Sequence, residues 1–218
     1  MDRELLANNF VNRQEIVEGL KKKIANWTFK PGQRLTEIYL LKTLGVKRNK
    51  IREVLRQLEQ DGFVNIIPNV GATVAEFSQK DIENIFDILV VLEGLAVRLI
   101  TPFISNRQLK SLKVLINKME ATNKIPLFHI YNMKFHFLVI KLSENDRLIK
   151  LTNNLMYNIR CASFQTMSSP GQITASIKEH RKIFEAIKDR NSIKAEQLMR
   201  NHILRAKNRL IKYMNRSL

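Results

Sequence analysis

The sequence has few of the residues that cross-link or interrupt a chain. Its 218 residues include one cysteine, Cys161, seven glycines and five prolines. A single cysteine excludes an intramolecular disulfide, and the scarcity of glycine and proline favours long helices. The chain also lacks an apolar run of about 18 residues and a charged-then-apolar leader. We therefore expect a cytoplasmic protein with no membrane partner.

Positive charge is what the sequence has in excess. Lys and Arg number 37 against 20 Asp and Glu, which gives a formal net charge of +17. This sign favours an anionic partner, with nucleic acid first and a membrane surface second. Residues 1–77 hold 13 basic and 9 acidic side chains, so they carry only +4 of that charge. The charge is compatible with DNA binding but does not locate it.

The first part of the chain shows the pattern of two helices separated by a turn. Between Asn12 and Trp27 apolar residues recur at helical spacing, and a Pro-Gly turn follows. Thr36 is suited to cap a short second helix, and Gly45 is suited to end it because glycine adopts left-handed backbone angles easily.

A third helix and a hairpin follow within residues 1–77. The helix begins near Lys47, and its buried stripe is formed by Ile51, Val54, Leu55 and Leu58. Two helices around a tight glycine turn predict a helix-turn-helix. Asp61-Gly62 ends the third helix, and residues 63–67 and 72–77 are predicted as strands around a Pro-Asn-Val-Gly turn. This hairpin is the predicted wing.

Beyond Ser78 the strand signals vanish and the sequence predicts six helices. Polar, Pro and Gly breaks separate them at residues 79–101, 105–122, 126–143, 146–166, 171–189 and 192–216. The predicted fold class is therefore mostly α. A winged helix-turn-helix of three helices plus a β-hairpin occupies residues 1–77, and an all-α bundle of about six helices occupies residues 78–218.

The predicted third helix carries a dense basic face. Arg48, Arg52 and Arg56 repeat every four residues, on the side opposite the apolar stripe, and Glu53 is the one acid among them. An arginine near the start of such a helix can offer two donors to guanine O6 and N7, so Arg48 is the first candidate base reader. A merely solvated basic face is the alternative, and the preceding helix, turn and hairpin count against it.

These motifs closely resemble the winged-helix domain of GntR-family regulators over about residues 10–77. The motifs are Lys30-Pro31-Gly32-Gln33-Arg34-Leu35-Thr36-Glu37, Leu44-Gly45-Val46-Lys47-Arg48, Ile51-Arg52-Glu53-Val54-Leu55, Asp61-Gly62-Phe63-Val64 and Pro68-Asn69-Val70-Gly71. The resemblance implies that Arg48 and Arg52 touch operator bases and backbone, and that Gly71 lies at a wing tip that enters the minor groove. The full predicted set of DNA contacts is Arg34, Lys47, Arg48, Asn49, Lys50, Arg52, Asn69 and Gly71.

Three of these positions depart from the family pattern, which has small residues around the first arginine. Lys47, Asn49 and Lys50 stand there instead. A lysine can add a phosphate contact and an asparagine an adenine contact. We therefore expect an operator sequence that differs from the usual inverted repeat of the family.

The four histidines lie in the C-terminal region, and three of them are predicted to point inward from three helices. These are His136, His180 and His202, whereas His129 is predicted to lie about 10 Å from His136 along the same helix, at a pocket rim or on the surface. Buried imidazoles need partners, and a divalent cation gives all three the same one. Asn132, one turn before His136, could supply a further ligand. The alternative is three core histidines, each satisfied by a hydrogen bond.

From about Asp81 onward the chain is similar to the FCD type of ligand-binding domain, found in one large GntR subfamily, the FadR subfamily. The motifs are Leu92-Glu93-Gly94-Leu95-Ala96, Asn132-Met133-Lys134-Phe135-His136, Glu179-His180, Phe184-Glu185-Ala186-Ile187 and Met199-Arg200-Asn201-His202. In many members an Asp and three His hold a metal ion, and a small carboxylate completes its coordination. Six helices indicate the smaller, VanR-like branch of that subfamily.

The FCD resemblance implies one divalent metal ion per chain, zinc, nickel or manganese, in a pocket that also binds the effector. The implied metal ligands are Asn132, His136, His180 and His202, and Leu89 joins them in the effector pocket. Asn132 stands where the family usually has Asp, and Leu89 where its first helix often has Arg. An occupied site would then keep the charge of its ion and attract an anion. An empty site with a neutral effector is the other interpretation.

The sequence thus predicts a transcription repressor, not an enzyme, that binds an inverted-repeat operator in double-stranded DNA as a homodimer and responds to a small-molecule effector, a carboxylate. A metal-dependent hydrolase is the first alternative. Against it, the chain has no HExxH motif, and Glu179, beside His180, is expected to face elsewhere. A non-specific DNA-binding protein is the second alternative. Nothing in the sequence marks Cys161 as an activated nucleophile or redox sensor.

Overall fold

The computed structural model describes residues 12–163 and 170–215. In these ranges the chain is mostly helical, and its strands form one small antiparallel sheet, which confirms the predicted fold class. Contacts between Cα atoms divide the described residues into two compact units. The first covers the residues up to Phe77 and a short stretch at 160–163, and the second covers the other residues from Ser78 onward. No helix in the described ranges is both long enough and apolar enough to cross a membrane.

The first unit has the helices and hairpin of a winged helix-turn-helix. Its elements are α1 (Arg13–Ala25), β1 (Arg34–Leu35), α2 (Glu37–Leu44), α3 (Arg48–Gln60), β2 (Val64–Ile67) and β3 (Gly71–Val74). The Thr36 side chain caps α2 by accepting from the backbone N–H of Tyr39, and Gly45 ends that helix with φ of 62°. The helix α3 buries the four apolar residues predicted for its stripe.

The sheet of the first unit differs in detail from the predicted hairpin. Its strand order is β1-β3-β2, and β3 pairs Thr73 with Arg34 on one side and with Asn65 on the other. The two-residue β1 was not predicted because it is too short to show alternation. The predicted strand 72–77 is wrong at its end, since β3 stops at Val74 and the Ser78 side chain already caps the next helix.

The second unit contains the six predicted helices. They are α4 (Gln79–Ile100), α5 (Asn106–Ala121), α6 (Ile125–Leu142), α7 (Asp146–Ser163), α8 (Pro170–Lys188) and α9 (Ser192–Met214). The predicted break at Ser168-Ser169 and the side chain of Cys161 lie outside the described residues.

Helices α4, α6, α8 and α9 pack around a common interior. The longest packing runs between α4 and α9, while α6 contacts α4 and α8 contacts α9. Gly94 permits the close approach of α4 to α9, because a Cβ there would lie 2.8 Å from Arg200 Cγ. Within this interior Glu93, Asn132, His136, His180 and His202 are all buried. Buried polar side chains require partners, and the arrangement of those partners defines the site.

Candidate DNA-reading surface and metal centre

A groove in the first unit brings together most of the predicted DNA contacts. It has a volume of about 510 Å³ and lies between the start of α2, one face of α3 and the β2–β3 turn. The predicted contacts that line it are Arg34, Arg48, Arg52, Asn69 and Gly71, and Arg56 joins them. Lys47, Asn49 and Lys50 lie at the start of α3 but do not line the groove. Lys47 and Asn49 are exposed, and Lys50 is half-buried.

Two of the groove arginines share one carboxylate. Glu37 Oε2 lies 3.2 Å from Arg48 Nε, and Glu37 Oε1 accepts from Arg52 Nε at 2.8 Å. The arginines remain 57% and 55% exposed at their side chains. Glu37 was not predicted as a site residue, although an acid next to the Thr36 cap and near a basic helix was a possible signal. The groove therefore contains a carboxylate that pairs with two of its arginines, in addition to the arginines themselves.

The turn of the wing depends on backbone angles that glycine adopts easily. Gly71 has φ of 98° and Asn69 has φ of 61°. A Cβ added at Gly71 would lie 3.9 Å from Arg34 Nε, so the strain of a substitution there would come from the backbone rather than from a clash. Gly71 thus brings the wing turn beside an arginine of β1.

In the second unit, three histidines from three helices converge on one point. His136 of α6, His180 of α8 and His202 of α9 are between 0% and 4% exposed. His136 Nε2 lies 3.3 Å from His180 Nε2 and 3.3 Å from His202 Nε2. A ligand atom of each ring lies within 4.8 Å of the others, so the three could hold one metal ion. The predicted inward orientation of these histidines is confirmed.

The second nitrogen of each ring fixes which nitrogens face the centre. Each Nδ1 lies against a group that can only accept: His136 against Glu93 Oε2 at 2.5 Å, His202 against Glu179 Oε2 at 2.6 Å, and His180 against the Ser176 carbonyl at 2.8 Å. With both carboxylates ionised, each Nδ1 carries the hydrogen, and in the neutral rings each Nε2 then presents a lone pair. Three lone pairs that converge in a buried space can share one cation, and the residues present fit such an ion.

Burial also keeps two of these rings neutral. The pKa of His180 is held well below its usual value, chiefly because burial disfavours the charged ring and then because His202 and His136 lie beside it. The pKa of His202 is lowered in the same way, first by burial and then by His136, Arg209 and Arg205. A neutral imidazole is the form that binds a metal ion, so these rings need not lose a proton first at neutral pH.

The two carboxylates behind the rings were missed or misassigned in the sequence. Glu93, 2% exposed, lies within the apolar stripe of α4, and an acid inside such a stripe was the available signal. Glu179 was expected to face elsewhere on its helix than His180, but its position behind a second histidine was not predicted. It does not contact the adjacent His180 but accepts from His202 of α9 and also pairs with Arg205. Groups behind a metal ligand fix its orientation and tautomer, and both carboxylates lie where they could do this for the histidines.

The other residues predicted for this site take different positions. Asn132 is 8% exposed and lies one turn before His136 on α6. Leu89 is 2% exposed and lies one turn before Glu93 on α4. His129 does not belong to the histidine cluster found among the described residues. Asn132 thus lies on the same face of α6 as a histidine of the centre, one turn away, and Leu89 has the same relation on α4 to a carboxylate behind it.

Comparisons with known proteins agree with both units. Residues 12–74 match the family described as bacterial regulatory proteins, gntR family, and residues 84–205 match the FCD domain. The HTH-type transcriptional regulator YdhC of Bacillus subtilis is 34% identical over 191 residues, which cover 84% of each chain. The transcriptional repressor RspR of Escherichia coli is 23% identical over 196 residues, covering 87% of this chain and 85% of the relative.

A solved structure shares the fold of the chain. The E. coli protein McbR/YncC superposes with a TM-score of 0.82 at 19% sequence identity and covers 93% of this chain and 99% of its own. Because the matched relatives regulate transcription, the hydrolase alternative has no support and the chain is not an enzyme. The chain belongs to the GntR family of DNA-binding transcription regulators, and an FCD domain follows its winged helix.

Proposed function

We propose that this regulator is a cytoplasmic repressor whose affinity for its operator depends on a small-molecule effector. The proposed effector is an anion, a carboxylate, that binds at a divalent ion in the FCD domain. The observation that carries the proposal is the convergence of the three Nε2 atoms of His136, His180 and His202. A regulator that needed only a stable core would gain nothing from three acceptors pointed at each other. An ion gives them a common partner and gives an anion a place to bind.

The donor set fits one divalent ion per chain. Bonds of about 2.0 to 2.1 Å to a tetrahedral ion place neighbouring nitrogens about 3.3 to 3.4 Å apart. The two Nε2 separations of 3.3 Å from His136 agree with this value. Imidazole suits zinc and nickel, and manganese would rely more on oxygen donors. We assign the oxygen donor to Asn132, buried one turn before His136.

The charge of the proposed site favours an anionic effector. Its ligands, three imidazoles and an amide, are neutral, so the ion would keep its positive charge toward any remaining coordination position. Glu93 and Glu179 offset part of this charge, but they lie behind the rings on Nδ1 rather than on the face that Nε2 presents. The ion would supply Lewis-acid attraction for a carboxylate, and Leu89 would belong to the apolar wall of the pocket.

The groove of the first unit is the proposed DNA-reading surface. Arg48, at the start of α3, is assigned to a guanine edge in the major groove, and Arg52 to bases and backbone. Arg34, Asn69 and Gly71 of the wing side are assigned to the minor groove and its phosphates. Lys47, Asn49 and Lys50 would add contacts to phosphate or adenine outside the groove. A homodimer on an inverted repeat follows, because one such helix reads only a few base pairs.

The DNA part of the proposal is tested with Arg48→Ala and Lys47→Ala. An operator is first selected from random duplexes with the wild-type chain, and a dyad in its footprint is expected. Loss of a bidentate base contact costs about 1 to 3 kcal/mol on the operator and relaxes one position in each half-site. Loss of Lys47 weakens all sequences alike and flattens the salt dependence.

Competition with unrelated DNA separates this function from non-specific binding. A specific regulator keeps its operator in the presence of excess random duplex, whereas a DNA-compacting protein exchanges onto the competitor. A footprint without a dyad, or equal losses on operator and random DNA for Arg48→Ala, would count against the proposed reading of bases. Neither result would bear on the histidine centre, which lies in the other unit.

A further inference from the structure

Glu37 is the only carboxylate among the described residues that line the groove of the first unit. Four arginines line the same groove, namely Arg34, Arg48, Arg52 and Arg56. Its two oxygens are divided between two of them, with Oε2 3.2 Å from Arg48 Nε and Oε1 2.8 Å from Arg52 Nε. One acid therefore holds two cationic side chains that lie one helical turn apart on α3.

The contacts leave the far ends of both guanidinium groups open. Glu37 binds Arg48 and Arg52 through Nε, and both side chains remain more than half exposed. A guanidinium has five N–H donors in a rigid plane, so a bond at Nε orients the plane while the terminal Nη donors can still meet a base edge. A charge-assisted bond of this kind also reduces the rotamer entropy that the arginine would lose on binding DNA.

The negative charge of Glu37 affects whether the two arginines bind base edges or phosphates. A free arginine pairs with the phosphates of any sequence, and such contacts supply non-specific affinity. A carboxylate between two arginines repels phosphate and competes with it for the guanidinium donors. The guanine edge carries no net charge and needs only the terminal donors. Discrimination between partners arises from contacts that disfavour the wrong one as well as from those that favour the right one.

We propose that Glu37 is a positioning residue that sets operator specificity by holding Arg48 and Arg52 in register for base edges and by weakening their binding to phosphate. The inference rests on the proposed function, in which these arginines contact the operator. It adds a residue that is not itself predicted to touch DNA, and it accounts for an acid in an otherwise basic groove.

The test compares Glu37→Gln with Glu53→Gln. Glutamine keeps the size of the side chain and removes its charge. Glu53 is an exposed acid on α3 that makes no ion pair within the described part of the chain, so its substitution changes the net charge equally without touching the two arginines. Binding is measured on the selected operator and on a random duplex at several salt concentrations, and base preference is measured by repeating the selection.

We expect Glu37→Gln to lower the ratio of operator to random-DNA affinity by about 10- to 100-fold. Random-DNA binding should tighten. The slope of log affinity against log salt concentration should become more negative by up to about two, because two arginines become free to neutralise phosphate. Glu53→Gln should change both DNAs by the same factor. The same ratio for Glu37→Gln and Glu53→Gln would overturn the proposal.

A second variant, Glu37→Asp, separates reach from charge. Aspartate keeps the negative charge and suits the first turn of α2, but its shorter side chain does not span both arginines. We expect the ratio of operator to random-DNA affinity to fall for Glu37→Asp as well. A ratio equal to that of the wild type would show that the charge alone matters and would overturn the bridging role. Thermal unfolding of each variant shows that binding is measured on folded protein. If Arg48→Ala loses affinity for operator and for random DNA by the same factor, the proposed function is at fault rather than the role of Glu37.

Discussion

His136 and His180 face each other through their Nε2 atoms at 3.3 Å, while each holds its Nδ1 against an acceptor, the Glu93 carboxylate or the Ser176 carbonyl. Neither neutral ring has a hydrogen to place between the two Nε2 atoms. A proton is disfavoured at His180, because burial and two neighbouring histidines lower its pKa. A divalent cation at the centre would give both Nε2 atoms a common partner, and the proposed metal centre rests on this relationship.

Glu93→Gln should weaken metal binding about 10- to 100-fold, the usual effect of losing a carboxylate behind a histidine ligand. The amide no longer raises the basicity of the His136 ring or offsets the charge of the ion. Competition with a chromophoric zinc chelator measures the change. Glu120→Gln in the same unit is the control, since Glu120 pairs with Arg181 at the surface. Equal zinc affinity for wild type and Glu93→Gln would contradict the assignment of Glu93.

The metal-free protein should lose stability as the pH falls below about 6.5. The pKa values of His180 and His202 are lowered in the folded state, so the unfolded chain takes up protons that the folded chain refuses. Their contribution is complete above the unfolded pKa and declines by up to about 1.4 kcal/mol per pH unit for each histidine as the pH falls toward the folded values.

Urea unfolding between pH 8 and pH 5 measures this slope. His180→Gln removes one of the two groups and should make the slope shallower. Stability that stays constant or rises as the pH falls through 6 would be inconsistent with buried neutral rings. In the same pH range, zinc binding at pH 7 should release few protons from these two histidines, because their lowered pKa leaves them already neutral.

Asn132→Asp should tighten divalent metal binding by tenfold or more, about 1.4 kcal/mol. A carboxylate oxygen binds a dication better than an amide carbonyl, and the remaining ligands are neutral imidazoles. Asn132→Leu, of similar size but without a donor, should weaken binding. Isothermal titration with zinc, nickel and manganese compares the three proteins. If the wild type, Asn132→Asp and Asn132→Leu bind each metal with the same affinity, Asn132 is not a ligand.

Two glycines should respond to alanine in opposite ways. Gly19 lies in α1 with no atom within 4 Å of an added Cβ, whereas an added Cβ at Gly94 of α4 meets Arg200 Cγ at 2.8 Å and Nε at 2.9 Å. Gly19→Ala should stabilise the fold by about 0.5 to 1 kcal/mol through helix propensity. Gly94→Ala should destabilise it, because Arg200 must leave its pair with Glu196. A midpoint temperature of thermal unfolding that rises for both variants would show that α4 and α9 can move apart to accommodate the added Cβ.

Much of the fold was predictable because its signals are local. The caps at Thr36 and Gly45, the stripe of α3 and the breaks between the C-terminal helices all lie within a few residues of the structure that they specify. The same periodicity predicted that His136, His180 and His202 point inward. The sequence therefore placed the histidines and the arginines on the correct faces of their helices.

The carboxylates that organise both sites were not predictable in this way. Glu93 meets a histidine 43 residues away, Glu179 one that is 23 residues away, and Glu37 an arginine 15 residues away. These pairs depend on how helices pack and not on any spacing within one helix. Local pattern even misled at Glu179, because facing away from His180 on α8 is what brings its carboxylate to His202 on α9.

Zinc titration of metal-free protein, with His180→Gln and His129→Gln beside the wild type, decides whether the three histidines form a metal centre. His129 is a histidine of α6 outside the cluster, so it controls for the loss of any imidazole. The account predicts one equivalent of zinc per chain at micromolar concentration or below for wild type and His129→Gln, and at least about 100-fold weaker binding for His180→Gln. If wild type binds no zinc, nickel or manganese at that concentration and His180→Gln only lowers thermal stability, the three histidines are core residues and the proposed metal centre is wrong.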